Sequence, residues 1–205
     1  MLQFWEDRYA GSTYAYGTHP NEFFKAQLDQ EIVPGKILLP AEGEGRNGVY
    51  AAQEGWRVEA YDWSPTAHKK ALRLAEQQQV SFEKYHIASL EELQWPAEHF
   101  DLIACIFVQY PSAYRRQNHQ KLARSLRSGG TFILEAFSQK HPEAQAQNPR
   151  VGGPRNMDQL YSLEDLLEDF SGFEWTLAEE THTHLEEGLY HLGEGAVVRL
   201  AGTKK

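Results

Sequence analysis

The sequence has a single cysteine, Cys105, so no disulfide bond can form within the chain. Cys105 lies in the apolar run LIACIFV, which predicts a small buried core residue. The histidines are scattered, and only His182 and His184 are spaced as half of a metal site on a strand. No cysteine or acidic residue at ligand spacing completes that site, so we predict no metal ion.

Positive charge is also scarce, because 20 Lys and Arg stand against 29 Asp and Glu, for a net charge of -9. Nucleic acids and anionic membranes attract clustered Lys and Arg, so neither is expected as the main partner. No apolar run approaches the roughly 20 residues that cross a bilayer, and MLQFWEDRYAG does not resemble a signal peptide. We therefore expect a cytoplasmic protein with one domain over residues 1–205, acting as a monomer or homodimer.

Apolar segments and helical patterns alternate from residue 36 to residue 137. Strands are predicted at residues 36–39, 57–61, 81–85, 101–108 and 131–137. Helices are predicted between them at residues 46–54, 65–79 and 113–126. This alternation predicts an α/β fold with a doubly wound parallel sheet.

The segments that flank this alternation follow other patterns. Residues 1–31 carry two short helical patterns and are expected to form a lid on the core at 36–205. Trp5, Phe23 and Phe24 are interpreted as cover for one edge of the sheet, whereas a lid role for Tyr14 and Tyr16 stays open. Residues 141–158 are expected to form a long loop, followed by a helix at 163–169 and a closing antiparallel hairpin from 173 to 202.

The Gly-rich turn after the first strand is the strongest local motif. Residues 43–48 read GEGRNG, which matches the dinucleotide pattern G-x-G-x-x-G, and Asp62 follows at the end of the next strand. An NAD-type oxidoreductase is therefore one interpretation. A lone match to this pattern is weak evidence, because many Gly-rich turns fit it.

Three features disfavour a dinucleotide. Glu42 and Glu44 would meet a pyrophosphate where it needs hydrogen-bond donors. The chain closes with a hairpin rather than with a second mononucleotide-binding half. Asp62 can accept both ribose hydroxyl hydrogens while the indole of Trp63 packs on an adenine. An acidic turn suits S-adenosylmethionine, whose sulfonium is a cation and which has no phosphate.

Several runs together resemble a known family: FWEDRY, LLPAEGEGRNGVYAAQEGW, VEAYDWS, LRSGGTFILEAF and EGLYHLGEGAVVRLAG. In order and spacing they resemble class I S-adenosylmethionine-dependent methyltransferases, within them the tellurite-resistance (TehB-like) and thiopurine-methyltransferase-like group. The resemblance implies a Rossmann-like seven-stranded sheet of order 3-2-1-4-5-7-6 with the last strand antiparallel. It places the cofactor over the carboxyl ends of strands one, two and four. The residues expected to bind it are Tyr16, Ala41, Glu42, Gly43, Gly45, Asn47, Asp62, Trp63, Ser64, Ser89, Leu90 and Ile106.

The sequence departs from the family at Leu39 and Ser89, where the family usually has acidic residues. The missing acid at Leu39, together with Gln109 where related chains often have a histidine, leaves open a cofactor-binding regulatory domain that does not catalyse a reaction. The expected acceptor is a small molecule, such as a sulfur, selenium or tellurium compound or a small metabolite. Candidate catalytic residues around it are Tyr16, Arg46, Gln109 and His191. Arg46 either binds an anionic acceptor or pairs with Glu42 or Glu44.

Overall fold

Seven strands form the sheet at the centre of the computed structural model, which describes residues 2–30 and 32–205. They are β1 (Lys36–Leu39), β2 (Arg57–Asp62), β3 (Lys84–Ile87), β4 (Phe100–Ile106), β5 (Leu126–Phe137), β6 (Phe173–Glu187) and β7 (His191–Lys204). Their spatial order is β3-β2-β1-β4-β5-β7-β6. All neighbours are parallel except β7, which is antiparallel to both β5 and β6. The predicted fold and strand order are confirmed.

The helices are α1 (Leu2–Tyr9), α2 (Glu22–Leu28), α3 (Arg46–Gln53), α4 (Pro65–Gln77), α5 (Ser112–Ser125), α6 (His141–Gln147) and α7 (Leu163–Asp169). Two single 3-10 turns, Pro149–Val151 and Met157–Gln159, follow α6. Helix α4 begins as its sequence predicts, because the hydroxyl of Ser64 accepts from Ala67 N at 3.0 Å and Pro65 occupies the first turn. None of the helices within the described ranges has the length and apolar character needed to cross a membrane.

Three predicted boundaries or elements are wrong. Strand β3 begins at Lys84 rather than at residue 81, and β5 begins at Leu126 rather than at residue 131. Leu126 already pairs with Phe100 of β4, so the glycines that looked like a helix end lie inside the strand. The expected loop at 141–158 contains α6, because Pro142 sits in its first turn, where a missing N–H breaks no helical hydrogen bond.

The sheet is buried on both faces, as the apolar sequence of β4 predicts. On one face, Ile103 packs in a cluster with Phe132 and with Phe170 at the end of α7. On the other face, Leu102 packs in a cluster with Phe24 of α2 and Ala51 of α3. Phe23 and Phe24 therefore cover the sheet as expected.

The N-terminal segment is anchored across the edge at which β1, β2 and β4 end. The Glu6 carboxylate of α1 accepts from Thr66 N at 3.2 Å and Thr66 Oγ1 at 2.7 Å at the start of α4. Lys70 Nζ of α4 donates to the carbonyl oxygen of Thr13 at 2.7 Å. At the other end of this segment, Leu189 N in the β6–β7 turn donates to Ala15 O at 2.8 Å. The carboxyl edge of the sheet thus lies beneath α1 and residues 13–17.

Gly45 is a position near this edge of the sheet where an added side chain should destabilise the fold. It has a φ of 90°, and a Cβ there would lie 2.7 Å from the Cβ of Ala71 in α4. We expect Gly45→Ala to lower the free energy of unfolding by roughly 2–4 kcal/mol, measured by chemical denaturation. The matched control is Gly172→Ala, where an added Cβ has no neighbour within 4 Å and the change should stay within about 0.5 kcal/mol. Equal stability of the two variants would contradict this account.

Candidate active site

A cavity of about 1370 Å³ lies at the carboxyl edge of the sheet. Its walls come from α1, the turn after β1, the segment after β4, residues 142–159 and the β6–β7 turn. Single small ligands usually occupy pockets of about 300–1,000 Å³, so this cavity has room for two.

The turn after β1 forms one wall of the cavity, and its own carboxylate caps the helix that follows. Glu42 Oε1 accepts from Gly48 N, in the first turn of α3, at 2.7 Å. Gly43 has a φ of 64°, and a Cβ there would lie 2.9 Å from the hydroxyl oxygen of Tyr9. The N–H that would bind a phosphate at this helix is thus already used, and a phosphate would also meet a negative charge.

Asp62 ends β2 beside this turn. Its Oδ2 accepts from Gly43 N at 3.1 Å and its Oδ1 accepts from Ser64 N at 2.9 Å. Burial raises the pKa of Asp62 to about 6, against the effect of these hydrogen bonds. Each carboxylate oxygen keeps a lone pair for a further donor. The neighbouring Trp63 is 37% exposed and lines the cavity.

A buried cluster around Glu187 supports another part of the wall, where Arg46 and His191 line the cavity. Glu187 Oε2 lies 2.9 Å from Arg46 Nη2 and 2.8 Å from His191 Nδ1, and its Oε1 accepts from Asn21 Nδ2 at 2.9 Å. Burial alone would raise the pKa of Glu187, but the charge of Arg46 and the bond to His191 lower it to about 2. Burial lowers the pKa of His191 despite its bond to Glu187. Arg46 therefore pairs with Glu187, and not with Glu42 or Glu44.

Gln109 and Tyr16 complete this end of the cavity. Gln109 Nε2 donates to Phe137 O at 3.1 Å and to Gln159 O, while its Oε1 accepts from Phe137 N at 3.1 Å. Its amide is therefore held by backbone groups on both sides. The ring of Tyr16 lies 4.6 Å from that of His191, and its hydroxyl accepts from Arg8 Nη1 at 2.9 Å.

Most of the predicted site residues come together on this cavity. Those that line it are Tyr16, Ala41, Glu42, Gly43, Arg46, Asn47, Asp62, Trp63, Ser89, Leu90, Ile106, Gln109 and His191. Gly45 and Ser64 lie outside its lining. Gly45 allows α3 to approach α4, and Ser64 caps α4 and donates its hydroxyl hydrogen to Glu6.

Sequence reasoning missed two further parts of the wall. Trp5 does not cover the sheet edge as predicted, but stacks on Tyr9 at 5.6 Å and lines the cavity. The apolar stripe of α1, ahead of the first strand, was the available signal. Residues 142–159 also line the cavity, including Arg150 and Arg155. Only the length of the expected loop pointed to that segment.

Among residues 2–30 and 32–205, no group of three or more His, Cys, Asp and Glu is arranged to hold a metal ion. His184 of the expected half-site instead lies 2.9 Å from Glu194 at an exposed position, measured from Nδ1 to Oε1.

Residues 39–134, which run from the end of β1 into β5, match the family model described as a methyltransferase domain. Several solved structures share the fold. One comes from a study of the conversion of a disulfide bond into a thioacetal group during echinomycin biosynthesis. It is 18% identical to this chain, with a TM-score of 0.80, and the match covers 100% of this chain and 92% of that chain. TehB from Haemophilus influenzae has 15% identity, a TM-score of 0.71, and coverage of 100% and 67%.

Magnesium protoporphyrin IX methyltransferase from Synechocystis PCC 6803, solved with bound SAH, has 18% identity and a TM-score of 0.66 over 89% of this chain and 80% of that chain. No curated protein matches the sequence. At these identities the solved structures support the fold, and the family match supports the chemistry.

The residues of the cavity fit S-adenosylmethionine better than a dinucleotide. The first wall presents the carboxylates of Glu42 and Asp62, which suit a cation and hydroxyl donors. At the start of α3, Gly48 N already donates to Glu42 and is therefore not free to bind a phosphate. The G-x-G-x-x-G match in the sequence therefore does not mark a pyrophosphate site.

Glu42→Gln should raise the stability of the ligand-free protein at pH 8 by roughly 1–3 kcal/mol. Burial raises the pKa of Glu42 from 4.5 to about 7, so between these values the folded state binds more protons than the unfolded state. Stability attributable to this group therefore falls as the pH rises from about 5 to 8. A glutamine keeps an oxygen for Gly48 N–H and removes the buried charge.

The measurement is the free energy of unfolding in denaturant between pH 5 and pH 8. Glu91→Gln, at an exposed position on the same cavity, is the matched control and should leave the curve unchanged. If the free energy of unfolding of Glu42→Gln depends on pH as it does in wild type, the Glu42 carboxylate does not cause the loss of stability between pH 5 and pH 8.

Proposed function

As a class I S-adenosylmethionine-dependent methyltransferase, the chain transfers methyl groups, and we propose that its acceptor is a small molecule. Sulfur, selenium or tellurium compounds and small metabolites with a nucleophilic atom are the candidates. The observation that carries this proposal is the cavity itself. Its volume is larger than a single small ligand needs, and Gly48 N at the start of α3 already donates to Glu42 instead of being available to a phosphate.

The cofactor half of the proposed site is the wall formed by the turns after β1, β2 and β3. Asp62 would accept hydrogen bonds from the ribose hydroxyls, and Trp63 would pack on the adenine. Glu42 offers its carboxylate to the cationic part of the cofactor. Ser89 and Leu90 border the same wall from the segment after β3.

We propose that residues 2–30 act as the lid of a single domain whose core is residues 36–205. Trp5 and Tyr9 of α1 cover the cavity, and the contacts of Glu6 with Thr66 hold α1 in place. The lid therefore keeps water away from the reacting atoms and limits the orientations of the acceptor.

S-adenosylmethionine, when bound, would supply an activated methyl group: the acceptor's nucleophilic atom would bond to the methyl carbon while the carbon–sulfur bond electrons return to sulfur. Proximity and alignment supply much of the rate for such a displacement. A protonated acceptor must also lose its proton, whereas a thiolate or selenolate needs no base.

His191 is the proposed base for protonated acceptors. Because the Glu187 carboxylate can only accept, His191 Nδ1 carries the hydrogen and Nε2 keeps a free lone pair. Its lowered pKa favours the neutral imidazole at physiological pH. Glu187 positions the ring, and the acceptor's proton passes to Nε2.

The dinucleotide alternative has little support. The family match runs from Leu39, the last residue of β1, into β5, and the strands that come after it, β6 and β7, form an antiparallel hairpin. A domain that only binds the cofactor does not account for the His191–Glu187 pair on the cavity wall.

Asp62→Ala should weaken the binding of S-adenosylhomocysteine at least about tenfold, because two ribose hydrogen bonds to a buried carboxylate are lost. Isothermal titration measures this dissociation constant. Glu174→Ala, at an exposed position on β6, is the control and should bind like wild type. Unchanged affinity in Asp62→Ala would remove Asp62 from the cofactor site.

His191→Gln should slow methylation of phenol-type acceptors by about 10²–10³-fold and methylation of aryl thiolates much less. Initial rates from pH 6 to pH 9 test this. In His191→Gln, the part of the pH–rate profile that depends on deprotonation of the imidazole should be lost for phenols only. His182→Gln, at an exposed position on β6, is the control. An equal loss for both acceptor classes would indicate that His191 shapes the cavity without accepting a proton.

A further inference from the structure

Three arginines line the cavity without a carboxylate partner among the described residues: Arg8 of α1, and Arg150 and Arg155 from the segment after α6. The remaining arginine of the lining, Arg46, is neutralised by Glu187. The acidic lining residues come from the end of β2 and from the turns after β1 and β3. They are Glu42, Asp62, Glu91 and Glu44, of which Glu44 is paired with Lys70. These three arginines thus bring unpaired positive charge to the cavity, in a chain whose net charge is -9.

Arg8 is positioned by neutral partners, so its positive charge is not neutralised by a carboxylate. Its guanidinium lies 3.8 Å from the ring centroid of Tyr190, and Nη1 donates to the hydroxyl of Tyr16 at 2.9 Å. A guanidinium has five N–H donors, so others stay available for an anion. Because the Tyr16 ring contacts His191, Arg8 belongs to the acceptor end of the cavity.

The segment that carries Arg150 and Arg155 is held by hydrogen bonds to its backbone and to the start of β7. Gln145 Nε2 donates to the carbonyl oxygen of Gly152 at 2.6 Å, and Asn148 Nδ2 donates to that of Leu192 at 2.7 Å. Gly152 has a φ of 77°, and a Cβ there would meet Tyr190 O at 2.1 Å. These contacts set the backbone against the start of β7 and leave both arginine side chains exposed beside the cavity.

We propose, on the basis of the methyl-transfer function above, that the acceptor is a small carboxylic acid with an apolar body. Arg8, Arg150 and Arg155 bind its carboxylate, since guanidinium groups match carboxylates in geometry and charge. The stacked rings of Phe107 and Phe137, 4.6 Å apart beside His191, contact the body. A singly charged group also suits a cavity that is lined by Glu42, Asp62 and Glu91 better than a doubly charged phosphate does.

The test uses methylthio acids as probes of the acceptor site in protein saturated with S-adenosylhomocysteine. Isothermal titration compares 4-(methylthio)benzoate and 3-(methylthio)propionate with their neutral methyl esters. At least one acid should bind about tenfold or more tightly than its ester, as expected for charge-assisted hydrogen bonds. The Arg150→Gln/Arg155→Gln variant should lose this preference.

Arg116→Gln is the matched control, because Arg116 is an exposed arginine outside the cavity lining and should keep the preference. Binding of S-adenosylhomocysteine should be the same in all these proteins. Failure of both acids to bind, equal binding of acid and ester, or an unchanged preference in the double variant would overturn the proposal. Failure of S-adenosylhomocysteine itself to bind wild type would instead count against the proposed cofactor site.

Discussion

The carboxylate of Glu187 joins three segments that are far apart in the sequence. It accepts from Asn21 ahead of α2, pairs with Arg46 at the start of α3, and binds His191 at the start of β7. Asn21 also donates to the buried Glu135 of β5. Breaking a buried pair of this kind by removing one partner typically destabilises a protein by about 3–5 kcal/mol. The positions of the lid, the helix after the Gly-rich turn and the proposed base are therefore fixed together.

The cavity shows how function and stability oppose each other in this fold. Burial raises the pKa of Glu42 and of Asp62, so each ionised carboxylate destabilises the ligand-free protein. The same two charges complement a cationic cofactor with hydroxyl groups. Functional sites of this kind commonly lower the stability of the protein. The packing on both faces of the sheet offsets that loss.

The fold was largely predictable because its signals are local. Ser64 and Pro65 mark the start of α4, the apolar run of β4 marks a central strand, and Asp62 follows a strand beside the Gly-rich turn. The pairing of Arg46 with Glu187 was not predictable, since the partners lie 141 positions apart and no pattern connects them. The prediction of a loop at residues 141–158 missed α6, because Pro142, a usual sign of irregular chain, here lies in the first turn of a helix.

The hydrogen bond from Leu189 N to Ala15 O has a consequence for the synthesis of the protein. Residues 13–17 leave the ribosome early, but the turn on which they rest follows more than 170 positions later, which takes roughly ten seconds or more at ordinary elongation rates. A nascent chain can pair β1 with β2 and β4 long before that. The cavity is closed only after the hairpin has been translated, so nascent chains should acquire their cofactor late.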